Sequence, residues 1–202
     1  MSLLERRRAL MSQSREKYVF VEYLESTGKE WINTGFIANQ NTRVIIDYQL
    51  TTVTTTTIFG SRKDGTKEFM LTVTTSGYTE PTLISIYDNQ RKTLTKGDTV
   101  RRIVDMNKNL TYINSELIAQ STEKSFTSHY ELGLFACNNN GNGMYPSLTK
   151  IYSCKIYDND ILVRDFVPCY RKADRVAGLY DTVSGTFFEN QGTGEFLIGG
   201  EI

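Results

Sequence analysis

The stretch FACNNNGNG, residues 135–143, sets four asparagines and two glycines together with no charged side chain among them. An asparagine amide both donates and accepts hydrogen bonds and has no charge to desolvate, which suits the hydroxyls of a sugar. Asn138, Asn139 and Asn140 are therefore candidate ligand contacts. A saccharide also stacks its apolar ring face on an aromatic surface. Trp31, Tyr78, Tyr87 and Tyr145 are the candidate platforms, with Tyr145 just beyond the asparagines. Asparagine and glycine equally accept left-handed backbone, so the stretch reads first as a turn. Binding is its second reading, as a loop carried on a rigid scaffold.

Catalytic chemistry finds less material. The single histidine, His129 in FTSHYEL, has no GxSxG elbow to frame a Ser-His-Asp device. One histidine also leaves too few nitrogen ligands for the usual catalytic zinc. Glycoside hydrolysis needs two carboxyl groups facing one groove. Glu22 and Glu25 fall on opposite faces of a regular strand, while Asp158 and Asp160 share parity but straddle a turn signal. The glycines of GTGEFLIGG precede no helix that could present amide groups to a phosphate, so that stretch reads as a final turn and strand. Calcium takes oxygen ligands from separate loops, and Asp88, Asn89, Asp98 and the three asparagines could supply them, although no contiguous calcium loop is present. The expectation is a non-enzymatic protein without a cofactor, structural calcium being the one ion left open.

The elements that position these residues follow from periodicity. Ser2 and Glu5 form an S-x-x-E capping box, and Leu3, Leu4, Leu10 and Met11 lie on one stripe, which predicts a short helix within residues 1–16. So short a helix takes its stability from packing. The stripe therefore either folds back on its own domain or serves attachment and oligomerisation, with Arg6, Arg7 and Arg8 on the solvated side. From Tyr18 the period changes to two. In RVIIDYQL, Val44, Ile46, Tyr48 and Leu50 share one face; in KIYSCKIY, Tyr152, Cys154 and Ile156 do, which makes Cys154 core filling. Asp64-Gly65, between TTIFGSR and TKEFMLTV, is a two-residue hairpin signal, and TTVTTTT reads as edge strand or loop. Short strands at regular intervals predict one all-β domain over residues 17–202, an antiparallel sandwich or barrel.

Composition agrees with such a domain. At 202 residues and 39% hydrophobic content the chain can bury a sizeable core. Its 23 basic and 23 acidic residues cancel. The long-range field that gathers a phosphate backbone is missing, which argues against nucleic acid as a partner. Arginines interrupt MSLLERRRAL where a secretory signal would be apolar, and no apolar run is long enough to span a bilayer. Cys137, Cys154 and Cys169 form no CxxC pair and are odd in number, as expected of reduced thiols in a chain folded in the cytosol.

Two longer stretches carry a family likeness. VEYLESTGKEWINTGF, residues 21–36, with the NTRVIIDYQL that follows, resembles the opening of the concanavalin A-like, laminin-G-like modules of phage and prophage structural proteins and some bacterial surface proteins. LGLFACNNNGN and KIYSCKIYDNDILVRDFVPCYRKADRVAGLYDTVSGTFFENQGTGEF resemble the closing strands of the same module, so the likeness covers about residues 18–200. MSLLERRRALM is similar to the N-terminal segments of small virion proteins. Where the family often has glycine in two tight turns this chain has Ser115 and Asp160, which predicts altered turn geometry or a longer loop. The resemblance implies a two-sheet jelly-roll sandwich whose curved face or end loops bind glycans without catalysis. It also implies a virion protein assembled in the host cytoplasm, with a bacterial surface or cell-wall glycan and other virion proteins as partners. A homo-oligomer would be joined through the N-terminal helix. The alternative is a structural decoration or tail subunit that binds no ligand; a glycoside-active enzyme ranks last.

Overall fold

The structure is a computed structural model and describes residues 14–63 and 65–202. A single helical turn at residues 14–17 leads into the sandwich, and the apolar stripe Leu3, Leu4, Leu10 and Met11 lies outside the described residues. The first strands are β1 (Tyr18–Phe20), β2 (Leu24–Thr27), β3 (Ile32–Asn39), β4 (Thr42–Leu50), β5 (Thr56–Lys63) and β6 (Thr66–Thr74). The middle of the chain supplies β7 (Thr82–Tyr87), β8 (Gln90–Lys96), β9 (Arg102–Asn107), β10 (Leu110–Ile113), β11 (Glu116–Gln120) and β12 (Thr127–Leu134). The last part adds β13 (Cys137–Asn139), β14 (Asn142–Met144), β15 (Leu148–Asp158), β16 (Ile161–Arg171), β17 (Ala177–Asp181), β18 (Thr186–Glu189) and β19 (Leu197–Ile198).

Two sheets face each other, as the strand spacing predicted. The larger runs β11-β10-β9-β4-β15-β16-β17-β18, with β1 on β16 and with β2 pairing both β15 and β19. The smaller runs β14-β13-β5-β6-β7-β8, with β12 pairing β3 and β5. Among the described residues the ladders are antiparallel except β13 on β5, which is parallel. The core lies between the sheets because alternation places one side of each strand there. Val44, Ile46, Tyr48 and Leu50 of β4 meet Phe59, Phe69, Leu71 and Leu83 of the smaller sheet. Each such side chain contributes about 1.5–3 kcal/mol by leaving water.

One strand departs from simple alternation. A bulge between Ile151 and Ser153 against β4 turns Tyr152 outward, so the inward set of β15 is Ile151, Cys154 and Ile156 rather than one containing Tyr152. The Tyr152 hydroxyl donates to Gln49 Oε1 at 3.0 Å, and its ring lies 3.5 Å from the Arg101 guanidinium. An added residue shifts parity without leaving a mark in composition.

The two turns expected to differ from the family do not lengthen. Asn114-Ser115 joins Ile113 to Glu116, with φ of 49° and 73°, and Asn159-Asp160 joins Asp158 to Ile161, with φ of 49° and 65°. Both are ordinary two-residue hairpin turns with left-handed central residues. A serine pays about 1 kcal/mol for that backbone, which glycine avoids. Ser115→Gly is expected to raise the Tm by about 2–4 °C for a chain of this size. An unchanged Tm in a thermal scan would show that Ser115 is not strained.

The three cysteines are free and buried. Burial pushes the Cys137 and Cys169 thiols up to about 12 and raises Cys154 as well. A disulfide-exchange reagent at neutral pH is therefore expected to find no reactive thiol in the native protein and three after denaturation. Even one rapidly labelled native thiol would contradict this packing.

Two further features fix the frame. On the outer face of the larger sheet, Phe20, Cys169 and Tyr180 pack with Tyr18, Val167 and Phe187, and the Ser14 side chain hydrogen-bonds Tyr180 there. At one end, the turn after β2 closes around the buried Glu30. Its carboxylate accepts from Thr27 N at 2.7 Å, Ser26 Oγ at 3.0 Å, Thr27 Oγ1 at 3.0 Å and Lys29 N at 3.2 Å. The segment before β19 lies over this turn: Gln191 N donates to Trp31 O at 2.8 Å, and Asn190 Oδ1 accepts from Trp31 N and Gly192 N.

Candidate functional site

The outer face of the smaller sheet carries a groove of about 220 Å³. Its floor is a consequence of strand register. Gly60, Met70, Ile86 and Arg91 stand opposite one another across β5, β6, β7 and β8, and the neighbouring row is Thr57, Thr72, Ile84 and Thr93. Both faces of β7 are buried, Leu83 and Tyr87 inward and Ile84 and Ile86 outward. Met70, Ile84 and Ile86 are buried although they point away from the core between the sheets, and Cys137 joins them from β13. Gly60 makes that junction possible, since a Cβ there would collide with the Met70 side chain.

The walls are polar. Thr55, Thr57, Thr72, Thr74 and Ser76 supply hydroxyls along one part of the groove. Thr72 Oγ1 donates to Thr56 O at 2.7 Å and lies 3.3 Å from Thr57 Oγ1. At the other part stand Arg62, Glu68 and Arg91. Glu68 is 2% exposed, and Arg62 Nε approaches its Oε1 at 3.2 Å without hydrogen-bond alignment, so no donor among the described residues hydrogen-bonds that oxygen. A buried carboxylate in this state is costly and gains from a further donor.

Tyr145 forms the lip. It is 45% exposed and sits at φ 51°, a conformation bulky side chains rarely adopt, while its carbonyl accepts from Thr57 N at 2.9 Å. Strain of this kind persists only where the surroundings impose it. Tyr78 reaches the same face from the β6–β7 connection; its ring packs on the Met70, Ile84 and Ile86 patch and its hydroxyl lies 3.1 Å from Thr93 Oγ1.

No protein-family model matches the chain, and no curated protein matches it significantly.

The remaining expected residues fall elsewhere. Trp31 is 6% exposed in the core, pressed against Gly143 and Gly133, and offers no open ring face. Tyr87 is 4% exposed, an inward residue whose hydroxyl donates to Lys124 O at 3.1 Å. Trp31 precedes β3 and is covered by the β13–β14 hairpin, whereas Tyr87 ends a strand buried on both faces, so residue type alone exposes neither ring. The asparagine stretch is a hairpin: β13 and β14 flank Asn140-Gly141, whose φ values of 55° and 79° are left-handed. Asn138 is fully buried, donating to Glu131 O and accepting from Gly141 N, both at 2.9 Å, so it holds the turn. Asn139 is half-buried and its amide lies 2.8 Å from Met144 Sδ; Asn140 is exposed at the tip.

The suggested calcium ligands do not gather. Asp88 and Asn89 form the β7–β8 turn, whereas Asp98 lies past the far end of β8, about 20 Å along the strand, paired with Arg102. Among the described residues no three His, Cys, Asp or Glu side chains converge as a metal site. Among the same residues no helix is long and apolar enough to cross a membrane. A larger depression of about 410 Å³ between Gln40, Lys108 and Lys124 lacks an apolar floor, and its one aromatic is the buried Tyr87. The groove combines apolar floor, hydroxyls and charge; Glu68 is the only carboxylate in its lining, where hydrolysis of a glycoside needs two.

Proposed function

We propose that this chain is a non-enzymatic recognition module that binds a carbohydrate along the outer groove of its smaller sheet. The observation that carries this reading is the groove itself: an apolar floor of Met70, Ile84 and Ile86 beneath threonine hydroxyls, with the exposed ring of Tyr145 at the lip. A sugar has the same two characters, a C–H face for the floor and ring and hydroxyls for the walls. The resemblance to laminin-G-like phage modules supports placing the protein on a virion, with a bacterial surface or cell-wall glycan as ligand. In that setting several copies on one particle would raise a weak single-site affinity by avidity.

The test is a panel of immobilised glycans and cell-wall polysaccharides probed with the wild type and Tyr145→Ala. The exposed tyrosine is not needed for the core, so the variant keeps its Tm. Loss of one aromatic contact is expected to weaken binding by about fivefold to tenfold. Failure of the wild type to bind any glycan selectively would sink the proposal and favour a purely structural subunit.

A further inference from the structure

The groove differs from the rest of the described surface in the state of its arginines. Elsewhere the guanidinium groups are engaged: Arg43 with Asp105, Arg101 with Asp47, and Arg171 with Asp174 and Glu189, through two or more hydrogen bonds each. Arg102 is held by Asp98 in the same way, and Arg164 donates to backbone carbonyls. Arg15 and Arg175 lie over aromatic rings. Two guanidinium groups are not satisfied in this manner, and both line the groove. Arg62 approaches Glu68 through Nε at 3.2 Å without forming a hydrogen bond to it. Arg91 is exposed at the rim, at the end of the Gly60-Met70-Ile86 row, and has no hydrogen bond or ion pair with the described residues.

Against these two positive charges the lining sets one carboxylate, Glu68, which leaves an excess of one positive charge over an apolar floor. A free guanidinium fork matches a carboxylate or phosphate through parallel hydrogen bonds. Glu68 lines the same groove beside Arg62, and its carboxylate is an acceptor that matches a hydroxyl hydrogen. Resting on the carbohydrate reading above, we infer that the ligand is an acidic glycan. Its anionic group binds the Arg91 fork, and a hydroxyl of the same chain donates to the Glu68 carboxylate beside Arg62. Glu68 and Arg91 thus divide the recognition: the carboxylate rejects a ligand that brings only negative charge, and the arginine favours one that carries some.

The test measures binding of the full chain to four labelled polymers of matched length: polygalacturonate, poly(glycerol phosphate), neutral dextran and polyglutamate. The expected result is preference for one or both of the hydroxyl-bearing acidic polymers over dextran, weakening as salt rises. The two acidic arms separate a carboxylate ligand from a phosphate one. Arg91→Ala should lower that affinity at least tenfold without changing the Tm, and Arg91→Lys should restore it in part, since it keeps charge but loses the fork. Glu68→Gln should bring polyglutamate binding up towards that of the acidic glycans, provided its Tm shows a folded protein. Polyglutamate bound as tightly as the acidic glycans by the wild type would reduce the site to general charge attraction and overturn the inference. Selective binding of neutral dextran, indifferent to Arg91→Ala, would overturn the inference and leave the carbohydrate reading standing. Binding of none of these polymers, with none on the wider glycan panel, would end both.

Discussion

Glu30→Ala is expected to lose about 3 kcal/mol of stability, a fall in Tm of roughly 6–12 °C for a chain of this length. The carboxylate is 1% exposed, and its partners are two backbone amides and the hydroxyls of Ser26 and Thr27. Truncation leaves those donors buried without acceptors, and leaves space beside Gly194 that the carboxylate now fills. The same geometry predicts a pH effect. Burial on its own would raise the Glu30 pKa, but the hydrogen bonds from Thr27, Lys29 and Ser26 outweigh it and hold the value below the ordinary 4.5. The unfolded chain therefore takes up the proton first as pH falls. The stability contributed by the ionised group is complete above pH 4.5 and is lost progressively as pH drops through the lower, folded value. Glu30→Gln cannot titrate, so its denaturant midpoint should fall less steeply below pH 4.5 than that of the wild type. Asp98, also held low by its hydrogen bonds to Arg102, contributes to both proteins alike, so the difference isolates Glu30. Parallel acid profiles would show that Glu30 carries no such shift.

Gly192→Ala is expected to cost a similar amount, about 3 kcal/mol, at the upper end of what overpacking exacts. A Cβ on Gly192 falls well inside contact distance of the Lys29 carbonyl oxygen. Neither side can yield. Gly192 N is tied to Asn190 Oδ1 at 2.7 Å, and the Lys29 carbonyl accepts from Thr193 N at 3.2 Å. The obstacle is another backbone rather than the movable end of a side chain. Gly200→Ala is the control, because its Cβ would meet only Glu22 atoms at 3.6 Å or more. A Tm for Gly192→Ala equal to that of Gly200→Ala would mean that the final turn does not press on the turn after β2 in solution.

Much of this fold is legible in the sequence. RVIIDYQL alternates cleanly because β4 is central in its sheet and unbulged, with a solvated outer face to contrast with the buried one. KIYSCKIY alternates as well, yet its outward residue is Tyr152, because the bulge moves the register where no glycine or proline advertises it. The asparagine hairpin was readable from backbone preference alone, and its turn role needs nothing from the rest of the chain. The groove was not readable in this way. Residue type alone singles out Tyr78 and Tyr145, whereas Arg62, Glu68, Met70 and Arg91 become neighbours only through the pairing of β5, β6, β7 and β8. One signal was available in TLISIY, where apolar residues occupy both parities. A strand covered on both faces reads that way, and here the second cover is the floor of the groove.

The positions of Ser14 and Arg91 carry a last consequence. Ser14 meets Tyr180 on the outside of the larger sheet, whereas Arg91 and Tyr145 open on the outside of the smaller one. The point where the described chain enters the sandwich and the mouth of the groove therefore lie on opposite faces. The core between the sheets separates the two faces, so a contact made at one leaves the other facing the medium.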